Sequence, residues 1–364
     1  MKYTLLLAAF LLAYSLGYSQ QEEGFKWWNP AQHEFPVLEG QAWPGELKGT
    51  YNRLPARAQQ DVREAVWTKS QQSAGVLVRF LSDASSIHVR YKVKGAFAFE
   101  HMPATGVSGV DLYAINKKGQ WEWTGANYTY GDTVRYYYDA IRKDGLREYH
   151  LYLPLYNKVE WLEIGVPENA VMKPLPLSKE KPIVVYGSSI AQGGCASRPG
   201  MAWTAILDRQ LRKPVINLGF SSNGLLEKPL IDLMSEMDAA LYVLDCMPNL
   251  SSYPGEEVSA RLVASVKALR KVRPSIPVLV VENADGNIGM LDTLLDNSFK
   301  QVNKVASATF QQLKEEGIKN IYFLSAAEIG LDIDCTVDGQ HPNDLGMKRY
   351  ADAYEKCIRK IFKR

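Results

Sequence analysis

Cysteine is scarce in this 364-residue chain: there are four, with no C-x-x-C pair and no close Cys/His cluster at metal-site spacing. That excludes a disulfide scaffold and a zinc module. Neither sign of charge predominates. The 42 Lys and Arg against 40 Asp and Glu leave a formal net charge of +2, too little for a nucleic-acid partner held by phosphate neutralisation. Membrane-length apolar runs are also missing. A run from Leu5 to about Leu16 follows the cationic start Met1-Lys2-Tyr3 and falls short of the ~18 residues a span needs. Gly17 and Ser19, ahead of Gln20, suit a signal-peptidase site. Residues 1–19 are therefore expected to be a cleaved signal peptide, with the mature chain exported to the periplasm or secreted, and no membrane span.

What remains, with 46% apolar and 23% charged residues, is globular and long enough for two domains. Tryptophan divides them. Trp27, Trp28, Trp43, Trp67, Trp121, Trp123 and Trp161 lie in the first half and only Trp203 in the second. From about 74 to 167 the chain alternates with a period of two, as in Val76-Leu77-Val78-Arg79-Phe80 and Ile87-His88-Val89-Arg90-Tyr91, and turn residues punctuate the runs. This predicts an all-β, jelly-roll-like sandwich over 20–178, with the segment before residue 74 wrapping the sheet. A Pro- and Lys-rich stretch, 172–182, reads as the linker. Beyond it, apolar runs at 183–186, 215–218, 240–244, 278–281 and 321–324 alternate with helical stretches near 201–212, 227–236, 256–272, 291–316 and 344–362. Such alternation predicts an α/β domain over 179–364, with a parallel sheet covered on both faces. Ligands of such sheets bind at the carboxyl ends of the strands.

Four strand ends carry chemistry. The first is Gly187-Ser188-Ser189-Ile190, a serine on a Gly-flanked strand-to-helix turn, placed like a nucleophile elbow. The second, Asn217 to Gly224, and the third, Asp245 to Asn249, offer backbone N–H groups and a side-chain amide suited to an oxyanion. The fourth, Asp338-Gly339-Gln340-His341-Pro342, sets a carboxylate three residues before an imidazole that it can orient.

These blocks resemble the SGNH (GDSL-type) hydrolases, over about residues 179–364. Gly109-Val110-Asp111-Leu112-Tyr113 similarly resembles the "GxDLY" module that precedes some bacterial SGNH domains. The resemblance implies a flavodoxin-like hydrolase domain and a serine esterase needing no cofactor or metal. Its nucleophile would be Ser189, with His341 as base and Asp338 as orienting carboxylate. The oxyanion hole would comprise the N–H groups of Ser189 and Ser222 and the amide of Asn249. Three positions depart from the family pattern: Ser188, a rival nucleophile, where Asp or Thr is common; Ser222 where Gly is usual; and Met247-Pro248-Asn249 in place of Gly-x-Asn-Asp.

An exported enzyme of this kind with a sandwich in front resembles esterases that remove acetyl or similar groups from carbohydrate, so the expected partner is an acylated carbohydrate or other small ester. Lipid or thioester hydrolysis on the same triad would need an apolar trough, whereas the loops at 193–199 and 251–257 are small and polar. A non-catalytic glycan-binding protein is the third reading. Arg198, just past the serine loop, is a candidate for touching substrate. Trp27-Trp28, ahead of Asn29-Pro30 and not expected to be regular strand, either packs on the second half or lines the cleft. Trp121 and Trp123 read as core packing, Tyr136-Tyr137-Tyr138 as leaving at least one ring exposed, and His88 and His101 as structural.

Overall fold

The structure, a computed structural model, describes residues 24–284 and 291–363; the expected signal segment, 1–19, lies outside them. The first half forms strands β1 (Phe25–Trp28), β2 (Leu38–Glu39), β3 (Leu77–Ser82), β4 (Ile87–Val93), β5 (Asp111–Ile115), β6 (Trp121–Thr124), β7 (Asn127–Thr129), β8 (Val134–Tyr138), β9 (Arg147–Tyr152), β10 (Val159–Pro167) and β11 (Met172–Pro174), with a helix α1 (Glu64–Ser70). They make two antiparallel sheets, β1-β10-β4-β8-β7 and β11-β3-β9-β5-β6, with β2 added beside β3. The alternation read in the sequence sends Val78, Phe80, Val89, Tyr91, Leu112, Leu151, Leu162 and Ile164 into the space between the sheets.

The second half carries β12 (Ile183–Gly187), α2 (Ser189–Gln192), α3 (Trp203–Leu211), β13 (Val215–Gly219), α4 (Lys228–Glu236), β14 (Leu241–Asp245), α5 (Gly255–Val272), β15 (Val278–Val281), α6 (Thr293–Glu315), β16 (Ile321–Leu324) and α7 (Asp344–Phe362). Its sheet is parallel in the order β13-β12-β14-β15-β16. The order reverses direction at β12, which puts the topological switch point at Gly187, directly before the serine pair. The α6 start is fixed by Asp292, whose carboxylate accepts the N–H groups of Leu294 and Leu295, and the α7 start by Asn343. Among the described residues no helix is long and apolar enough to cross a membrane.

Packing does not stop at the sequence boundary. Trp43, Leu54, Val62 and Val66, from the segment expected to wrap the sandwich, enter one core with Ile216, Leu218 and Phe220 of the parallel-sheet half. Tyr113, Tyr152 and Leu155 share another with Ile190 and Trp203. The two halves therefore hold each other at a fixed angle, and sandwich residues border the strand ends.

Several expectations change. Trp27 and Trp28 are regular strand, paired with Gly165 and Ile164. Tyr136, Tyr137 and Tyr138 are all buried, because β8 lies inside its sheet and the outward Tyr137 is covered by His88, itself stacked under Phe25. Part of the expected linker, Met172–Pro174, is an edge strand. The four cysteines, whose spacing points to no particular pairing, are free thiols.

Candidate active site

The turn after β12 buries Ser188 completely, and its hydroxyl caps α2 by accepting the Ile190 N–H (3.2 Å). Ser189, the next residue, turns its Oγ to His341 Nε2 at 2.8 Å. His341 Nδ1 meets Asp338 Oδ2 at 2.6 Å, which assigns the ring proton to Nδ1 and leaves Nε2 to accept from the serine. Asp338 is held by its own turn: Oδ1 accepts the N–H groups of Gln340 (3.0 Å) and His341 (2.8 Å), an Asx-type arrangement closed by Val337 N–H to His341 C=O. Burial raises the Asp338 carboxyl, but these hydrogen bonds outweigh it and hold the group below the usual range. Ser189, rather than Ser188, is thus the serine joined to the imidazole.

The turn after β13 approaches from the other side. Ser222 sits at φ 60, the left-handed region that glycine tolerates best, which explains why glycine is usual there. A Cβ on Gly219 would lie 2.2 Å from Gln192 N and one on Gly224 2.4 Å from Gly187 O, so both positions need glycine. Gly224 N–H donates to Asn249 Oδ1 (3.0 Å), which fixes the Asn249 amide with Nδ2 as its free donor end.

A Cys195 sulfur, an Asp338 oxygen and a His341 nitrogen lie within 4.8 Å of one another. This trio is a poor metal site. The His and Asp atoms are already committed to each other and to the serine, and burial, with the Asp338 charge, pushes the Cys195 thiol up to about 12, far from the thiolate a metal requires.

Asp245, in the third block, is fully buried at the end of β14, and neither carboxyl oxygen reaches a hydrogen-bond partner. Burial pushes its pKa up to about 8; the nearby Tyr354 hydroxyl offsets this only slightly and lies outside hydrogen-bonding geometry. A folded pKa above the unfolded value means that stability from this group is complete below about pH 4 and is lost as the pH rises towards 8. The loss at pH 8 is on the order of 5 kcal/mol. Asp245→Asn should therefore abolish that slope and be the more stable protein at pH 8, as urea unfolding at pH 5 and pH 8 would measure; parallel behaviour of the two proteins contradicts a buried neutral carboxyl.

Two expected contacts are corrected. Arg198 is engaged by the sandwich half: its guanidinium pairs with Asp111 and the Tyr113 hydroxyl and lies over the Trp123 ring, 4.2 Å from its centre. Asp111 also accepts from Trp123 Nε1 (2.6 Å) and Gly200 N–H (3.0 Å). The Asp and Tyr of the GxDLY pattern thus tie the sandwich half to the loop after the Ser189 turn. Trp27 lies under Arg90 and Trp28 packs on His33 and Phe80, contacts that lie within the sandwich half. Trp121 likewise ties the halves, donating to Arg209 C=O (3.0 Å).

Other residues at the site come from the sandwich half and carry no local signature. Tyr156 donates to Ser189 C=O (3.1 Å). Arg53, 1% exposed, donates to the carbonyls of Lys69, Gln72, Asn217 and Gly219, and so lies directly under the Ser222 turn. His101, expected to be structural, has its ring 6.0 Å from that of His341.

A sandwich carrying this tie, in front of a parallel sheet with a Ser-His-Asp relay at its switch point, defines an SGNH-type ester hydrolase. Comparison with known proteins agrees. A model of the GDSL-like lipase/acylhydrolase family matches residues 180–359, and one for the N-terminus of SGNH-hydrolase-type esterases, GxDLY, matches residues 25–172. A Bacteroides ovatus ATCC 8483 protein described as a GDSL-like lipase is 31% identical, with 93% of this chain and 98% of that one covered and a TM-score of 0.85. The chain belongs to the GDSL-like lipase/acylhydrolase family and is a carboxylic ester hydrolase. Two more distant structures share the fold over 93% of this chain and 98% of their own: a salicylyl-acyltransferase from a tetracycline biosynthetic pathway (19% identity, TM-score 0.71) and a family two carbohydrate esterase from Cellvibrio japonicus (12%, 0.58). No curated protein matches.

Proposed function

We propose that the protein is an exported serine esterase that removes small acyl groups, acetyl foremost, from carbohydrate. The observation that carries the reading is the unbroken relay Ser189 Oγ, His341 Nε2, His341 Nδ1, Asp338 Oδ2. His341 Nε2 takes the Ser189 proton as Oγ attacks the ester carbonyl carbon. The N–H groups of Ser189 and Ser222 and the Asn249 amide hold the oxyanion. The tetrahedral species collapses as His341 returns the proton to the leaving alcohol; water then attacks the acyl-enzyme with His341 again as base, releasing the acid and restoring Ser189.

Small acyl groups are favoured by the loop after the serine turn, Gly193 to Pro199, which presents short side chains apart from Arg198 and no apolar trough. The signal-like start supports export, and the residue ranges of the two family models support a division near residue 178 into a sandwich and a hydrolase domain. Carbohydrate is favoured by the aromatic side chains that the sandwich brings to His341.

The test is acetate release from a panel of acetylated polysaccharides, alongside esters of one alcohol with acyl chains of increasing length. Acetate release from at least one polysaccharide is expected, with rates falling at least tenfold beyond a butyryl chain. Fastest turnover on long chains would overturn the assignment in favour of a lipid acylhydrolase.

A further inference from the structure

The hairpin turn Phe99-Glu100-His101-Met102 is closed by reciprocal backbone bonds between Phe99 and Met102, 3.0 and 3.2 Å. It is anchored from beneath. Met102 is buried in the core shared with the hydrolase half, and Thr105, three residues on, donates to Ser197 C=O at 2.7 Å. The turn's other rings stay accessible: Phe99 is 39% exposed and His101 is exposed. Phe99, His101 and His341 form a row of nearly parallel rings, with centroids 6.0 Å apart at each step and interplanar angles of 24° and 30°. Tyr156 meets Phe99 edge-on at 5.7 Å and at the same time holds the Ser189 carbonyl. Phe99 and His101 thus extend the row of rings outward from the His341 that meets Ser189, with part of each ring open to solvent.

The chemistry of the relay says which half of a substrate lies there. The general acid must reach the leaving oxygen within hydrogen-bond distance, so the alcohol sits on the His341 side of the carbonyl and the acyl group on the far side. Whatever is bonded to that oxygen next meets the rings beside His341. We propose that Phe99 and His101 form the alcohol subsite, in which a pyranose ring bearing the ester stacks its apolar face on Phe99 while His101 contacts a neighbouring hydroxyl. This inference rests on the esterase reading above and adds to it the residues that choose the alcohol. The sandwich half thus supplies specificity to a reaction whose chemistry lies wholly in the other half.

The experiment compares two acetates that differ only in the alcohol, an acetylated methyl xyloside and ethyl acetate, by the ratio of their kcat/KM values. Phe99→Ala should lower that ratio roughly tenfold, the loss of one aromatic contact, and His101→Ala should lower it severalfold. Phe99→Trp should restore it, and thermal unfolding should be unchanged because both side chains are exposed. A wild type active on both esters, with a ratio unmoved by either substitution, overturns the subsite alone. Wild-type protein inert towards both overturns the esterase reading and the subsite with it.

Discussion

Ser189→Ala is expected to lower kcat by roughly 10⁴–10⁶ while leaving the fold intact, because Ser189 Oγ makes its hydrogen bond to His341 and Ser188 is spent capping α2. Asp338→Asn should cost roughly 10⁴. An amide at position 338 still accepts the N–H groups of Gln340 and His341, but it no longer carries the charge that stabilises the imidazolium, and its NH₂ end favours the wrong tautomer. The two losses should not add: the double variant should be about as slow as Ser189→Ala, since the carboxylate acts only through the histidine. Steady-state kinetics on an acetyl ester measure all three. Near-normal turnover of Ser189→Ala would transfer the role to another nucleophile.

The second large effect is on stability and comes from a residue outside the relay. Arg53→Ala should lower the unfolding free energy by about 3–5 kcal/mol. The guanidinium satisfies four backbone carbonyls at 2.6–3.1 Å and lies 4.8 Å from the Phe220 ring centre. Alanine leaves the buried carbonyls of Asn217 and Gly219 without a donor, each at a cost of about 1–3 kcal/mol. Arg53→Lys should recover less than half, because a single ammonium cannot reproduce the planar fork. As those carbonyls precede the Ser222 turn, the folded fraction should also lose kcat more than KM. Urea unfolding with parallel kinetics tests both parts; a stability change under 1 kcal/mol would show that the carbonyls find other donors.

The sequence could reveal the elements whose signal is local. Continuous apolar strands at 183–186, 278–281 and 321–324 separated by amphipathic helices admit one architecture, and the structure has it. Asp338 and His341 were legible because three residues of chain already confine carboxylate and imidazole to one turn. Arg53 and Tyr156 were not legible, because each reaches the site across more than thirty residues of chain, and an arginine between Asn52 and Leu54-Pro55 reads as an ordinary surface charge until its carbonyl partners are seen. Arg198 was misplaced for the converse reason: proximity to Ser189 in the chain suggested substrate, while its actual partner, Asp111, lies 87 positions away. Trp27 and Trp28 misled because the Asn29-Pro30 that follows suggested irregular chain, whereas it only ends β1. Indole rings fit a sugar cleft or a sandwich equally well, and only the pairing of β1 with β10 decides between them. His101 was passed over because nothing in its neighbourhood of sequence points to His341.

The central claim is that Ser189 is the nucleophile of this hydrolase. Treatment of the native protein with a fluorophosphonate, followed by intact-mass measurement and peptide mapping, tests it most directly. One adduct on the peptide bearing Ser189, absent from Ser189→Ala and slowed in Asp338→Asn, is the predicted result. An unlabelled native protein, or an adduct that persists in Ser189→Ala, would contradict it.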